Sequence, residues 1–303
     1  MRIMLATDGS EHAAFAETVL AKIPGLAGSA VDVVSVSTPL PILGVGVPAI
    51  AEPTYTEQST ELWEELHAHA ERTARESAER LTSAGFQARH VVLDGDIAGE
   101  LLDYAEREPL DLVVVGNRGE NALAAMLLGS VARKLVAHCK KSVLVARNYD
   151  DKTSEESSAI LRPKDPTLLV GVDAGDGAQA AVHWLKERGP GYGRVIALSV
   201  DAVPYFPATI GPAVAALSFP ESEDALPVAE KAAEDLQGIA PKVEALRAHG
   251  HASTEIVRTA REIAADLIVV GATRHGIIQR FLIGSVAYDV AAGASCSVLV
   301  VRP

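Results

Sequence analysis

The sequence predicts an α/β fold used twice: two tandem, doubly wound parallel sheets of about five strands each, with helices on both faces. Three observations point to it. The chain has 303 residues, 48% of them hydrophobic and 4% aromatic. That length suits about two domains of roughly 100–200 residues, and cores of small aliphatic side chains suit buried parallel strands. Short apolar runs alternate with amphipathic segments of helical period. Finally, the chain repeats itself. Residues 111–147 (DLVVVGNRGENALAAMLLGSVARKLVAHCKKSVLVAR) align without a gap with residues 266–302 (DLIVVGATRHGIIQRFLIGSVAYDVAAGASCSVLVVR), with 16 identities in 37 positions.

Element by element, the first copy reads as follows. Arg2–Thr7 is a strand, an apolar run too short for a helix. Ser10–Lys22 is a helix with Ser10 as N-cap and an apolar face on Ala13, Ala14, Val19 and Leu20. Val31–Ser37 is the second strand. Glu57–Ala84 is a long amphipathic helix closed by Gly85. Strands at Ala88–Leu93, Leu112–Val115 and Ser142–Ala146 alternate with helices at Ile97–Glu106 and Ser130–Ala137. All strands are expected to be apolar throughout. The opening Leu169–Gly175 matches Ile3–Gly9 and the apolar run Arg194–Val200 matches Val31–Ser37, and the second copy is about ten residues shorter before its D-L-I-V-V run. The polar, serine-rich stretch NYDDKTSEESSAILRPKDP separates the copies. The expected domains are 1–148 and 166–303, with a linker at 149–165. The closing strands Ser142–Ala146 and Ser297–Val301 are exposed-edge candidates unless they are paired.

Composition excludes several function classes. The formal charge is −13, and no basic run exceeds Lys140-Lys141, so neither nucleic acid nor an anionic membrane surface is an expected partner. Thr38–Ala51, the most apolar stretch, is broken by Pro39, Pro41 and Pro48 and is shorter than the roughly 20 residues of a membrane helix. No leader pattern opens the chain. Cys139 and Cys296 are far apart and outside any C-x-x-C, a reduced pattern of core residues. The expectation is a soluble, cytoplasmic protein.

In such sheets, ligands bind beyond the carboxyl ends of the strands. Here those ends carry Thr7-Asp8-Gly9, Val36, Gly95-Asp96 and Gly116-Asn117-Arg118-Gly119. Gly116-x2-Gly119-x9-Gly129-Ser130 is the constellation with chemistry. Gly116 ends a buried strand and permits a sharp turn, with positive φ if required. Gly119 admits a ligand to the backbone. Gly129-Ser130 opens a helix whose unpaired N–H groups favour an anion, and the Ser130 hydroxyl adds a donor. The result is a phosphate cradle with no lysine. Asp8, at a strand end, suits ribose hydroxyls or a magnesium ion on phosphates; a turn or capping role is the alternative.

With the strand-end Asp8 of ATDGS, this loop and the closing SVLVAR and SVLVVR strands, the chain resembles the universal stress proteins in tandem form. The resemblance covers essentially both halves. It implies a Rossmann-like fold of the adenine nucleotide alpha hydrolase kind, and ATP as ligand. By that resemblance Thr7 and Asp8 contact base or ribose and Val36 lines the adenine side. Gly116, Arg118, Gly119, Gly129, Ser130 and Val131 surround ribose and phosphates, and Asp8 is the candidate magnesium ligand. It also implies that the closing strands pair the two halves as a pseudo-dimer, with a homodimer beyond that.

The second copy departs from the pattern. Asp173, Val200, Gly271, Gly284 and Ser285 stand where expected, but Arg274 replaces the middle glycine. Asp176 reads as an extra carboxylate near the phosphate site. The first copy is therefore the expected nucleotide site, and the second is weakened or empty.

Other motifs lead elsewhere. Gly44-x-Gly46-x-x-Ala49 spells a dinucleotide fingerprint but holds Pro48 and precedes no helix. There is no G-x4-G-K-[ST] and no G-x-S-x-G. His67-x-His69 lies on the long helix with its rings on different faces. His249-x-His251 reads as a loop following a strand, at the border of the second pocket. Trp63 and Trp184 read as core or interface anchors. Thr38–Tyr55 and Ala202–Pro220 are long, apolar, Pro- and Gly-rich loops, expected to cover a ligand or partner surface.

The leading reading is an ATP-binding stress-response module acting by nucleotide-dependent binding or signalling. Two others stay open: a slow ATPase or adenylylating enzyme of the same superfamily, and a scaffold for a non-nucleotide ligand.

Overall fold

The computed structural model describes residues 1–38, 57–119, 128–148, 166–202, 225–272 and 284–303. Both long apolar loops, the Gly44–Ala49 fingerprint, the linker and Arg274 lie outside the described residues. The chain forms two compact units, Met1–Ala21 with Leu26–Val143 and Lys22–Gly25 with Leu144–Pro303.

The first unit contains β1 (Arg2–Ala6), α1 (Glu11–Lys22), β2 (Ala30–Ser37), α2 (Glu57–Ser83), β3 (Gln87–Asp94), α3 (Ile97–Arg107), β4 (Leu112–Gly116) and α4 (Ser130–His138). β5 (Ser142–Ala146) straddles the boundary between the units. The second unit has β6 (Thr167–Gly171), α5 (Asp176–Arg188), β7 (Arg194–Ala202), α6 (Ala225–Asp235), β8 (Lys242–Gly250), α7 (Ala252–Glu262), β9 (Leu267–Gly271), α8 (Ser285–Gly293) and β10 (Ser297–Val301). The first unit orders its strands β3-β2-β1-β4 and the second β10-β9-β6-β7-β8. Pairing is parallel, with Ile3 opposite Val31 and Leu112, and Leu169 opposite Ile196 and Ile268. This is the α/β fold of the sequence, and the order brings the carboxyl ends of β1 and β4 side by side.

Central strands are apolar because both faces are covered. Ile3, Met4, Leu5, Leu112, Val113 and Val114 are fully buried. The outer strands correct the expectation of strands apolar throughout. β3 reads QARHVVLD and β8 reads KVEALRAHG, and most of their residues reach solvent. Charge on a sheet edge discourages strand addition. The closing strands, read as exposed-edge candidates, are buried along their whole lengths.

Inside the first unit, Asp32 on β2 is buried and gathers three donors. It accepts from Arg2 (Nη2 2.9 Å) and Tyr104 (hydroxyl 3.0 Å), and from Arg89 on β3. Burial alone would raise its pKa. The hydrogen bonds from Arg89, Tyr104 and Arg2 outweigh this and hold it below the ordinary carboxylate range.

On α1, Ser10 is the N-cap, its Oγ accepting from Ala13 N at 3.2 Å. The buried face is Ala13, Ala16, Glu17, Val19 and Leu20. Ala14, expected inside, is exposed. Glu17 is buried because Arg80 of α2 forks onto it at 2.8 Å through both Nε and Nη2. Gly85, at φ +92°, follows α2. Cys139 and Cys296 are both buried, and burial pushes the Cys296 thiol up to about 12. Trp184 is a core residue with Arg188 over its ring, whereas Trp63 is exposed. Among the described residues, no helix is long and apolar enough to cross a membrane.

Candidate functional site

At the end of β1 the backbone of Thr7 still belongs to the sheet, its N–H donating to Val34 O at 2.9 Å. The chain then turns sharply into α1. Gly9 N donates to Thr7 Oγ1 (3.3 Å), and Ser10 N donates to Asp8 Oδ1 (3.1 Å). Gly9 sits at φ +79°, and a Cβ there would meet the Thr73 methyl at 3.2 Å. The turn holds the exposed Asp8 carboxylate at the carboxyl edge of the sheet.

β4 delivers the other half. Gly129 N donates to Asn117 O at 2.7 Å, tying the start of α4 to the strand end. Gly129 caps α4 with no side-chain hydrogen bond. Among the described residues, no side chain caps the first amides of the helix, at Ser130 and Val131, which is the arrangement that favours an anion. Ser130 is exposed, while Arg118 and Val131 are half-buried. The two halves meet at Gly119, where a Cβ would lie 2.6 Å from Asp8 Oδ2. Asp8 and Gly119, 111 residues apart, are thus brought together. Val36 is half-buried near the end of β2, opposite Leu93.

Two sequence-based reasons need correcting. Gly116 does not use positive φ. Its missing Cβ makes room for α1, since a Cβ would stand 2.8 Å from His12 O. Gly271 is the same device in the second unit, with Gly177 of α5 at 2.0 Å from its absent Cβ. Nor is Asp176 an extra carboxylate: it opens α5 as Glu11 opens α1.

In the second unit, Val172 N donates to Leu198 O at 2.9 Å and Asp173 Oδ1 accepts from Gly175 N at 2.9 Å. This reproduces the Thr7–Asp8 turn, with Ala174 in place of Gly9. Gly284 caps α8 without a side-chain bond, Ser285 is exposed, and Val200 is half-buried in β7. An open cavity of about 490 Å³ begins at Asp173 and runs between α5 and α6. Its lining includes none of Val200, Gly271, Gly284 and Ser285. Val182 lines it, at the seventh position of α5. The seventh position of α1 is Glu17, which closes onto Arg80.

The histidines are engaged locally. His67 Nδ1 lies 2.9 Å from Asp94 Oδ1, and its ring leans on Trp63. His249 is part of β8 rather than a following loop, with Nδ1 3.2 Å from Asp201 Oδ2. His251 caps α7. Among the described residues, no group of three or more His, Cys, Asp or Glu is placed to hold a metal.

One residue that the sequence places at the strand end, Asn117, is given no role there by sequence reasoning. The Asn117 side chain is buried, and its Oδ1 has no hydrogen-bond partner among the described residues. The available signal was the alternation of Asn117 with Ala272 behind matching glycines.

Comparison with known proteins covers both units. The universal stress protein family profile matches residues 1–147 and again 166–302. A universal stress protein of Thermus aquaticus is 32% identical over 146 residues, 48% of this chain and 97% of that protein. One from Mycolicibacterium smegmatis is 28% identical over 218 residues, 68% of this chain and 66% of that protein. The crystal structure of a universal stress protein from Archaeoglobus fulgidus superposes with a TM-score of 0.64 at 18% identity, over 99% of this chain and 98% of that one.

Proposed function

The chain belongs to the universal stress protein family, with the family unit present twice, and on that basis we propose that its first unit binds an adenine nucleotide, ATP, at the carboxyl edge between β1 and β4. The observation that carries this reading is the side-chain-free start of α4, set beside the Asp8–Gly119 contact. Unsatisfied helix amides favour phosphate. A strand-end carboxylate beside them suits the ribose hydroxyls, or a magnesium ion accompanying the phosphates. Thr7 and Asp8 then face ribose and base, and Val36 lines the base. Gly119, Gly129, Ser130 and Val131 hold the phosphates, with Arg118 alongside. Bound magnesium would supply charge neutralisation on the phosphates.

The residues of this edge favour binding over turnover. The loop has no phosphate-binding lysine of the Walker kind; its cation is Arg118, which we read as holding the phosphates rather than driving their transfer. The nucleotide therefore acts as a switch on partner binding in a stress response, in the cytoplasm. The second unit shares the Asp turn and the helix start but has Ala272 and Arg274 in its loop, and it binds ATP more weakly or not at all.

Calorimetric titration with ATP tests this reading. It predicts one nucleotide per chain and loss of most affinity in Asp8→Ala, with Asp173→Ala close to wild type. Two equal sites, or undiminished binding by Asp8→Ala, would contradict it. Phosphate release at about 1 s⁻¹ or faster would instead favour the enzyme reading.

A further inference from the structure

Asn117 is 5% exposed, and its Oδ1 lies buried with no hydrogen-bond partner among the described residues. A buried acceptor without a donor is a standing cost of folding, and native proteins pair nearly all such atoms. Local architecture does not require the amide. The backbone carbonyl of Asn117, not its side chain, ties down Gly129. The second unit makes the comparison directly. Gly271 matches Gly116 in sequence and in its packing against the first helix of its unit, and the next residue is Ala272, 3% exposed. The matching position there is buried without a polar side-chain atom.

The contrast follows the glycine loop. The amide stands in the copy that retains Gly119, and alanine stands in the copy with Arg274. Ser37 Oγ is a second buried atom without a partner, and it lies at the end of β2. Both orphans are thus at carboxyl ends of the strands flanking β1. Ser77 Oγ, also orphaned, lies in the body of α2, where a serine hydroxyl has a neighbouring carbonyl within reach by rotation.

We propose that Asn117 is a specificity-determining residue of the first unit, its Oδ1 accepting a hydrogen bond from a hydroxyl or amino group of the bound nucleotide. This rests on the nucleotide reading of the site. A ligand that brings the donor satisfies an acceptor already withdrawn from water. A ligand that lacks it leaves the acceptor stranded, and such sites reject the poorer analogue strongly. The donor is a sugar hydroxyl or the exocyclic amine of the base, and the analogues below separate the two.

The experiment is a set of calorimetric titrations of the full chain and of Asn117→Ala with four triphosphates: ATP, its 2′-deoxy and 3′-deoxy forms, and the purine riboside form lacking the 6-amino group. Thermal melts without ligand accompany them. The expected result is a loss of about tenfold or more in ATP affinity in Asn117→Ala. Wild type should lose a similar factor with one of the three analogues, and the variant should bind that analogue as it binds ATP. The melt of the ligand-free variant should stay at or above that of wild type, as Ala272 leads one to expect. The proposal is overturned by undiminished ATP affinity in the variant, by a loss equal for all four ligands, by wild-type indifference to all three analogues, or by a ligand-free variant that melts well below wild type. A wild-type chain that binds none of the four overturns the nucleotide reading itself, and this proposal with it. Unchanged ATP binding in the variant overturns this proposal alone.

Discussion

Gly116 and Gly119 show how similar residues in one motif answer to different neighbours. The Cβ position of Gly116 is occupied by the backbone of α1, and that of Gly119 by the Asp8 carboxylate. The first glycine serves packing and the second serves the candidate site, so their substitutions should separate. Gly116→Ala pushes the His12 backbone off β4 and should cost about 1–3 kcal/mol of stability, the usual penalty of overpacking, read as a lowered denaturant midpoint. Gly119→Ala displaces an exposed carboxylate and should spare stability while weakening ATP binding. Equal stability losses would show that both glycines are packing residues. The sequence marked both positions as special. It could not say why, because the reason lies in His12 and Asp8, more than a hundred residues away.

At the scale of elements, boundaries followed from pattern to within a residue or two. Apolar runs flanked by Gly, Asp and Ser leave little freedom in where a buried strand begins and ends. The misreadings have two causes, a partner from a distant element and a side chain too small to mark its face. Glu17 looks like a solvent residue until Arg80 is placed over it, and Ala14 is small enough to suit either face. Charges on β3 likewise make sense only once Asp32 is seen inside the sheet, drawing Arg89 and Arg2 toward it. This network has a pH signature. The Asp32 pKa is lowered in the folded state, so its contribution is fully present above the unfolded carboxylate value of about 4. The contribution is lost as pH falls through the lower folded value. Asp32→Asn should destabilise the chain by about 1–3 kcal/mol near neutrality, the two arginines being partly exposed, and the gap from wild type should narrow below pH 4. A gap constant from pH 7 to pH 3 would assign the loss to packing instead of charge.

Over the whole molecule, the duplication was the most legible feature, since SVLVAR and SVLVVR close two copies of one pattern. The asymmetry between the copies was legible only in part. Arg274 announced it, and Asp176 seemed to, but Asp176 matches Glu11. The stronger contrasts are Asn117 against Ala272 and Glu17 against Val182, which reads as a routine substitution until the cavity beside Asp173 is seen. The central claim is that the first unit seats ATP between Asp8 and the start of α4. Crystals grown with saturating ATP test it most directly. The account predicts density for one nucleotide per chain, with phosphates at the Ser130 and Val131 amides and the sugar beside Asp8. An empty Asp8–Ser130 edge, or a nucleotide seated only in the second unit, would contradict it.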